Sequence, residues 1–299
     1  MRRRGRVVLS TGNHCLVADQ SGDLHRCQLR RRGGRPVCGD WIDWQAQSGG
    51  AVVEAVEPRR NVIERGDFRG HPRPLAANVD RIILVIAPTP TPDPLLIDRY
   101  RVLSQAAAIP LTLWLNKTDR LEAAQRHALL TRLSTDHNRL DCLGGSARSG
   151  AGLDAIRQLI GAGTAILVGQ SGVGKSSLTK ALVPGVDLRV GEINRASGQG
   201  RHTTTETILV EHPGGPALID SPGVRTLRLD HLSPGQVMAA FPDIAELTGQ
   251  CQFRDCRHNG EPGCALQRAR ESGAVPAQRI AHWARLMQET ENGLADQKS

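Results

Sequence analysis

Lysine is nearly absent from this 299-residue chain; Lys117, Lys175, Lys180 and Lys298 are the only four. Long apolar runs are missing too. The longest, such as Ile82 to Ala87, span about six residues against the roughly 20 a bilayer requires, so no membrane span is expected. A secretory leader is not expected either, because Met1-Arg-Arg-Arg-Gly-Arg6 runs into only three apolar residues, Val7 to Leu9. Seven cysteines make an odd number, and three of them gather near the C-terminus beside a histidine. That pattern suits a reducing compartment and a metal site better than a disulfide framework. The expected location is the cytoplasm.

Charge leans one way. The formal net charge is +8, which suggests a polyanionic partner. The excess is concentrated at one end: residues 1–35 carry nine arginines against Asp19 and Asp23. With lysine so scarce, a chance phosphate-loop match has a probability of roughly 0.01 or less. Yet Gly169-Gln170-Ser171-Gly172-Val173-Gly174-Lys175-Ser176 is a complete G-x-x-x-x-G-K-S. Backbone N–H groups of such a turn, with the positive end of the following helix, cradle phosphate. Lys175 is expected to reach the β- and γ-phosphates, Ser176 to ligate Mg²⁺, and Ser177 to complete the loop's phosphate contacts.

A second motif lies upstream. Asn116-Lys117-Thr118-Asp119 has the form of a guanine-reading N-K-x-D, whose carboxylate accepts from N1–H and the 2-amino group of guanine. Adenine lacks that donor pair, and leaving the carboxylate unpaired costs about 1–3 kcal/mol. Lys117 can lay its stem over the base. Ser146-Ala147-Arg148 matches the loop whose backbone N–H meets guanine O6. Asp220-Ser-Pro-Gly223 follows a short apolar strand; its carboxylate is expected behind Mg²⁺ and the Gly223 N–H at the γ-phosphate. Between these lies Gly200-Arg-His-Thr-Thr-Thr205, in which Thr204 or Thr205 is the expected switch threonine. Val224 stands where Ras-type GTPases carry a water-orienting glutamine, leaving His202 as the candidate to position water. The guanine motif precedes the phosphate loop, the reverse of the ordinary order, so the chain looks like a circularly permuted GTPase.

The rest of the chain divides around these motifs. Five short segments, Arg6–Leu9, Cys15–Ala18, His25–Leu29, Trp41–Trp44 and Ala51–Val56, read as strands of a small closed barrel, OB-like or SH3-like. Arg65 to Pro74 is polar and Pro-containing and reads as a linker. Alternating strands and helices then argue for a parallel sheet covered on both faces, with helix 153–160 joining the original termini. The last 65 or so residues read as helical, interrupted by Cys251-x₄-Cys256-x-His258-x₅-Cys264. Three thiolates and an imidazole make a plausible closed tetrahedral Zn²⁺ site. Cys15, Cys27, Cys38 and Cys142 read as small core residues.

Taken in this order, with Gly39-Asp40 and Pro58-Arg-Arg-Asn61 in the barrel region, the motifs resemble those of the RsgA (YjeQ) family along essentially the whole chain. The resemblance implies a multidomain α/β protein: an OB-fold barrel at 1–70, a permuted P-loop GTPase domain at 75–230, and a helical zinc domain at 231–299. It implies a GTP hydrolase with GTP, Mg²⁺ and Zn²⁺, stimulated by the small ribosomal subunit during late maturation and touching its rRNA. A monomer with no membrane partner is the expectation. The barrel carries few aromatics (Trp41, Trp44, Phe68), so phosphate and shape contacts are expected of it rather than base stacking. The alternative is a GTP-binding RNA chaperone or structural factor with little hydrolysis, which Val224 keeps open.

Overall fold

The computed structural model describes residues 2–30, 34–47, 50–67, 70–183, 185, 190, 193, 207–211, 215–221 and 227–296. Strands β1 (Arg2–Ser10), β2 (His14–Ala18), β3 (Leu24–Gln28), β4 (Trp41–Gln47) and β5 (Gly50–Val56) match the five expected segments. They pair in the order β1-β2-β3-β5-β4, and β4 returns to β1 to close the barrel. Only β3 and β5 run parallel. This closed five-stranded order is OB-like and excludes the SH3-like alternative.

Alternation in β1 and β2 sorts side chains between two cores. Val7, Cys15, Val17, Cys27, Ile42 and Trp44 fill the barrel. Val8, Leu16 and Ala18 face outward and join the core of the next domain. Gly39-Asp40 and Pro58–Asn61 form the seam between the two. Asp40 is fully buried and takes a two-pronged grip from Arg59 at 2.8 and 2.9 Å. At Gly39 (φ 92°) a Cβ would sit 2.2 Å from the Ala77 carbonyl oxygen, so backbone meets backbone there without room for a side chain.

The stretch read as a linker is instead a hairpin. Strands β6 (Val62–Gly66) and β7 (Pro72–Ala77) pair antiparallel as a separate two-stranded sheet. Its prolines are tolerated because a two-stranded ribbon has outer edges that need no N–H donor. The Asp67 carboxylate closes the turn by accepting from the His71 N–H at 3.0 Å. The hairpin is tied down at Gly66, whose N–H donates to the Arg228 carbonyl at 3.1 Å.

The main sheet contains β8 (Arg81–Ile86), β9 (Leu111–Leu115), β10 (Cys142–Gly144), β11 (Thr164–Val168), β12 (Ile208–Val210) and β13 (Ala217–Asp220). Their order is β10-β9-β8-β11-β13-β12. All neighbours are parallel except β12 and β13. Strands β9 and β11 are buried at every residue, as expected of parallel strands covered on both faces. Strand β12 was not expected. It also pairs with the barrel, Leu9 opposite Ile208, so barrel and sheet share one hydrogen-bonded ladder. Arg6 of β1 strengthens the junction by donating to the Glu211 carboxylate and to Thr164 Oγ1.

Helices α1 (Pro94–Ala107), α2 (Ala123–Asp136), α3 (Leu153–Ile160) and α4 (Lys175–Leu182) flank this sheet. Helix α3 buries Leu153, Ile156 and Ile160, one face at helical spacing, and carries the chain from edge strand β10 back to central strand β11. Helices α5 (Pro234–Ala239), α6 (Pro242–Thr248), α7 (Ala265–Ser272) and α8 (Ala277–Asp296) follow. Their Phe241, Trp283 and Leu286 join the main core.

A buried polar network fastens these helices to α1. Asp98, 1% exposed, accepts from His137 Nδ1 at 2.8 Å and His282 Nδ1 at 2.6 Å, with Arg279 at 3.3 Å. The Arg279 fork also grips Asp243 and lies 4.6 Å over the Phe241 ring.

Candidate functional site

The phosphate loop leaves β11 and enters α4. Gly169, Gly172 and Gly174 all have positive φ, at 139°, 82° and 98°. Two of them are also spatially constrained. A Cβ at Gly169 would lie 2.2 Å from the Val85 carbonyl oxygen, and one at Gly174 would lie 2.4 Å from Asn116 Nδ2. Gln170 is half-buried, Val173 is buried, and Ser171, Ser176 and Ser177 are exposed along the rim.

Lys175 is buried inside this loop, its ammonium donating to the Gly169 and Gln170 carbonyls at 2.9 Å each. Burial pushes its pKa down from the usual lysine range, and the charge of Asp220 opposes the shift. Asp220 ends β13, one strand over from the loop, in register with Leu167. Burial raises its carboxyl, while Lys175 and a hydrogen bond from Ser176 pull it back. A desolvated ammonium and a desolvated carboxylate close enough to shift each other are a charge arrangement typical of a site built for charged ligands. Ser176 and Asp220 together offer the hydroxyl and carboxylate oxygens that a hard divalent cation prefers.

Three further loops converge on the first. Asn116 follows β9, and its Nδ2 donates to the Val173 carbonyl at 2.9 Å while its Oδ1 accepts from the Ala147 N–H at 3.1 Å. One side chain thus joins the phosphate loop to the Ser146–Arg148 loop. Lys117, at φ 61°, turns back across the same rim, its ammonium on the Gly172 carbonyl at 2.5 Å and the Thr89 carbonyl at 2.9 Å. Thr118 is buried and its N–H donates to the Gly145 carbonyl at 3.1 Å. Asp119 is exposed at the mouth, and a hydrogen bond from Ser146 holds its carboxyl below the usual range. Ser146 is itself buried, its Oγ accepting from the N–H groups of Arg148 and Ser149 at 3.2 Å each.

The Thr89 contact was not anticipated. Pro88-Thr-Pro-Thr-Pro-Asp-Pro94 reads as a stiff loop, and only the fold places its Thr89 carbonyl against the guanine motif's lysine. His202, Thr204, Thr205, Gly223 and Val224 lie outside the described residues.

The second cluster is C-terminal. The ligand atoms of Cys251, Cys256, His258 and Cys264 all lie within 4.8 Å of one another. His258 Nδ1 is 3.5 Å from the Cys251 sulfur and 3.6 Å from those of Cys256 and Cys264. Tetrahedral Zn²⁺, with bonds of about 2.3 Å to sulfur and about 2.05 Å to nitrogen, requires an S···N edge of about 3.6 Å. The donor set and its spacing fit zinc. The surrounding hydrogen bonds fix the ligand loops: Cys251 Sγ accepts from the Ala265 N–H at 3.3 Å, and Glu261 accepts from the N–H groups of Arg257 and Asn259. Glu261 is a residue whose role no sequence pattern signalled.

The profile of the RsgA GTPase family matches residues 56–230. The small ribosomal subunit biogenesis GTPase RsgA of Azotobacter vinelandii is 43% identical over 292 residues, covering 95% of this chain and 85% of that protein. The protein of the same name from Pseudomonas aeruginosa is 41% identical over 285 residues, covering 95% and 84%. Among solved structures, YjeQ from Thermotoga maritima superposes with a TM-score of 0.72 at 26% identity, covering 97% of this chain and 99% of that one. YloQ, described as a circularly permuted GTPase, gives 0.67 at 24% identity, covering 98% and 96%, and supports the fold.

Proposed function

The chain belongs to the RsgA GTPase family, and from that premise we propose that it hydrolyses GTP while assisting late maturation of the small ribosomal subunit. The single observation that carries the reading is the Asn116 clasp. Motifs some 57 residues apart and in reversed order meet through one side chain, which joins the base-reading loops to the phosphate loop. Asp119, oriented by Ser146, accepts the two guanine donors, and Lys117 lines the base pocket. Lys175 and the loop amides of 169–176 hold the phosphates. A magnesium ion would be held by Ser176 with Asp220 behind it, and it would neutralise phosphate charge during transfer. Thr204 or Thr205 and the Gly223 N–H report the γ-phosphate, and His202 positions the attacking water.

Residues 1–70, with their arginine-rich strand, serve as the RNA-facing barrel; 75–230 form the GTPase domain and 231–299 the zinc domain. Arg2, Arg3 and Arg26 are exposed on the barrel strands, a basic face suited to rRNA phosphate. The protein works as a cytoplasmic monomer; among the described residues no helix is long and apolar enough to cross a membrane. GTP orders the switch segments and favours a grip on the subunit, and hydrolysis stimulated by the subunit releases it. The test is GTP turnover alone, with small subunits, and with large subunits. Stimulation by small subunits only is expected. GTP binding without stimulation would refute the reading in favour of an RNA-binding factor with little hydrolysis.

A further inference from the structure

Among the described residues Phe253 is the large hydrophobic side chain left exposed, at 48%. It stands inside the zinc loop, two residues after Cys251 and three before Cys256. The backbone around it is pinned on both sides. The Gln252 N–H donates to the Gly263 carbonyl at 3.1 Å, and the Cys256 N–H donates to the Phe253 carbonyl at 3.4 Å. The two N–H bonds to Glu261 hold the far side of the loop. The ring is therefore presented to solvent by a fixed frame, so little backbone entropy is lost when it is covered.

Two arginines, Arg254 and Arg257, and one carboxylate, Asp255, follow it in the loop. Arg254 and Arg257 are exposed, and among the described residues neither guanidinium has a hydrogen bond or ion pair. The acidic Glu261 nearby is spent on backbone N–H groups and does not pair with them. A protein partner or a bilayer would call for a contiguous apolar patch. Here a single exposed ring shares its short loop with two unpaired guanidiniums, against one exposed carboxylate at Asp255, which matches what an unpaired nucleotide offers: a π-face and adjoining phosphates.

We propose that Phe253 is a stacking platform for an unpaired base of RNA, with Arg254 and Arg257 holding the phosphates beside it. The proposal rests on the small-subunit reading above and adds to it. Base stacking is supplied by the metal-braced loop, while the barrel, whose Trp44 is buried in its core, contributes phosphate contacts.

The test is the affinity of the full zinc-loaded chain for purified small subunits with a non-hydrolysable GTP analogue, across a salt series. Zinc content and Tm are measured for every variant. Phe253→Ala is expected to bind roughly 5- to 100-fold more weakly, with zinc content and salt slope unchanged. Phe253→Trp should restore binding and Phe253→Leu should not. Arg254→Ala and Arg257→Ala should each lower the salt slope by about one. Phe253→Ala within twofold of wild type, or rescue by leucine equal to that by tryptophan, would overturn the platform while leaving the functional reading intact. A wild-type chain that binds no small subunit would overturn both.

Discussion

Replacing Asp98 with asparagine probes whether the C-terminal helices and the GTPase sheet melt as one body. The substitution keeps the shape and removes the charge. In the native chain this single buried carboxylate serves two imidazoles and lies 3.3 Å from Arg279. Burial alone would raise its pKa; the hydrogen bonds from His137 and His282 and the charge of Arg279 outweigh it and hold the carboxyl below its ordinary 3.8. In the variant, an amide NH₂ must face one imidazole nitrogen, and Arg279 keeps only Asp243 as a charged partner. Removing one partner from a buried charged network costs about 3–5 kcal/mol. The surviving Arg279–Asp243 fork argues for the low end, about 3 kcal/mol. At roughly 2–4 °C per kcal/mol, Tm should fall by about 6–12 °C, read by calorimetry as one shifted transition. The sign with pH also follows. A carboxyl whose folded pKa is depressed contributes its full stabilisation above the unfolded value and loses it as pH drops through the folded one. The gap between wild type and variant should therefore close below about pH 4. A Tm within about 1 °C of wild type at pH 7, against the roughly 6 °C minimum expected, would refute the reasoning.

Two other perturbations address the two ligand sites. Gly174→Ala places a Cβ 2.4 Å from Asn116 Nδ2 at a φ of 98°, which should open the Asn116 clasp. GTP affinity by titration calorimetry is expected to fall at least tenfold, with about 1–3 kcal/mol of backbone strain lowering Tm; unaltered affinity would separate the clasp from nucleotide binding. Zinc is expected to bind the Cys251–Cys264 cluster at one equivalent, and chelation, or Cys256→Ala, should take it toward zero and lower Tm, since binding to a folded ligand set is folding free energy. A metal-free chain of unchanged Tm would mean that helix packing around Trp283 alone holds the loop.

Much of the site was legible because its signals are local. The phosphate loop, the N-K-x-D motif and the four-residue Cys/His cluster are each confined to a short stretch whose residue types have few other uses. The barrel strands were legible as five short segments without a helical period, and α3 matches its expected bounds. What was hidden is non-local. Strand β12 has three residues, too few for a period, and exists because β13 and Leu9 of β1 flank it. The hairpin looked like a linker because its polar residues face solvent, while its anchors, such as the Arg228 carbonyl, lie far along the chain. Asp98 resembled any helix-surface acid until the fold brought His137 and His282 to it from 39 and 184 residues away.

The central position of β11 bears on how the chain is made. Strand β8, in which Ile82, Ile83, Leu84 and Val85 are fully buried in the finished fold, can pair with β9 as soon as both leave the ribosome. Its other edge waits for β11, whose residues come about 80 positions later. At about 5–20 residues per second that is roughly 4–16 s, during which a strongly apolar strand offers an open row of N–H and C=O groups to any passing chain. Nucleotide cannot shorten the interval, because Lys175 and Asp220 are synthesised later still and only a completed site gains stability from a bound ligand. In an unpermuted order the middle strand comes first and each later strand docks on a waiting neighbour. Here the flank is laid down before the centre, so the nascent chain's exposure to misassociation is set by the very rearrangement that lets its last segment follow the switch region directly.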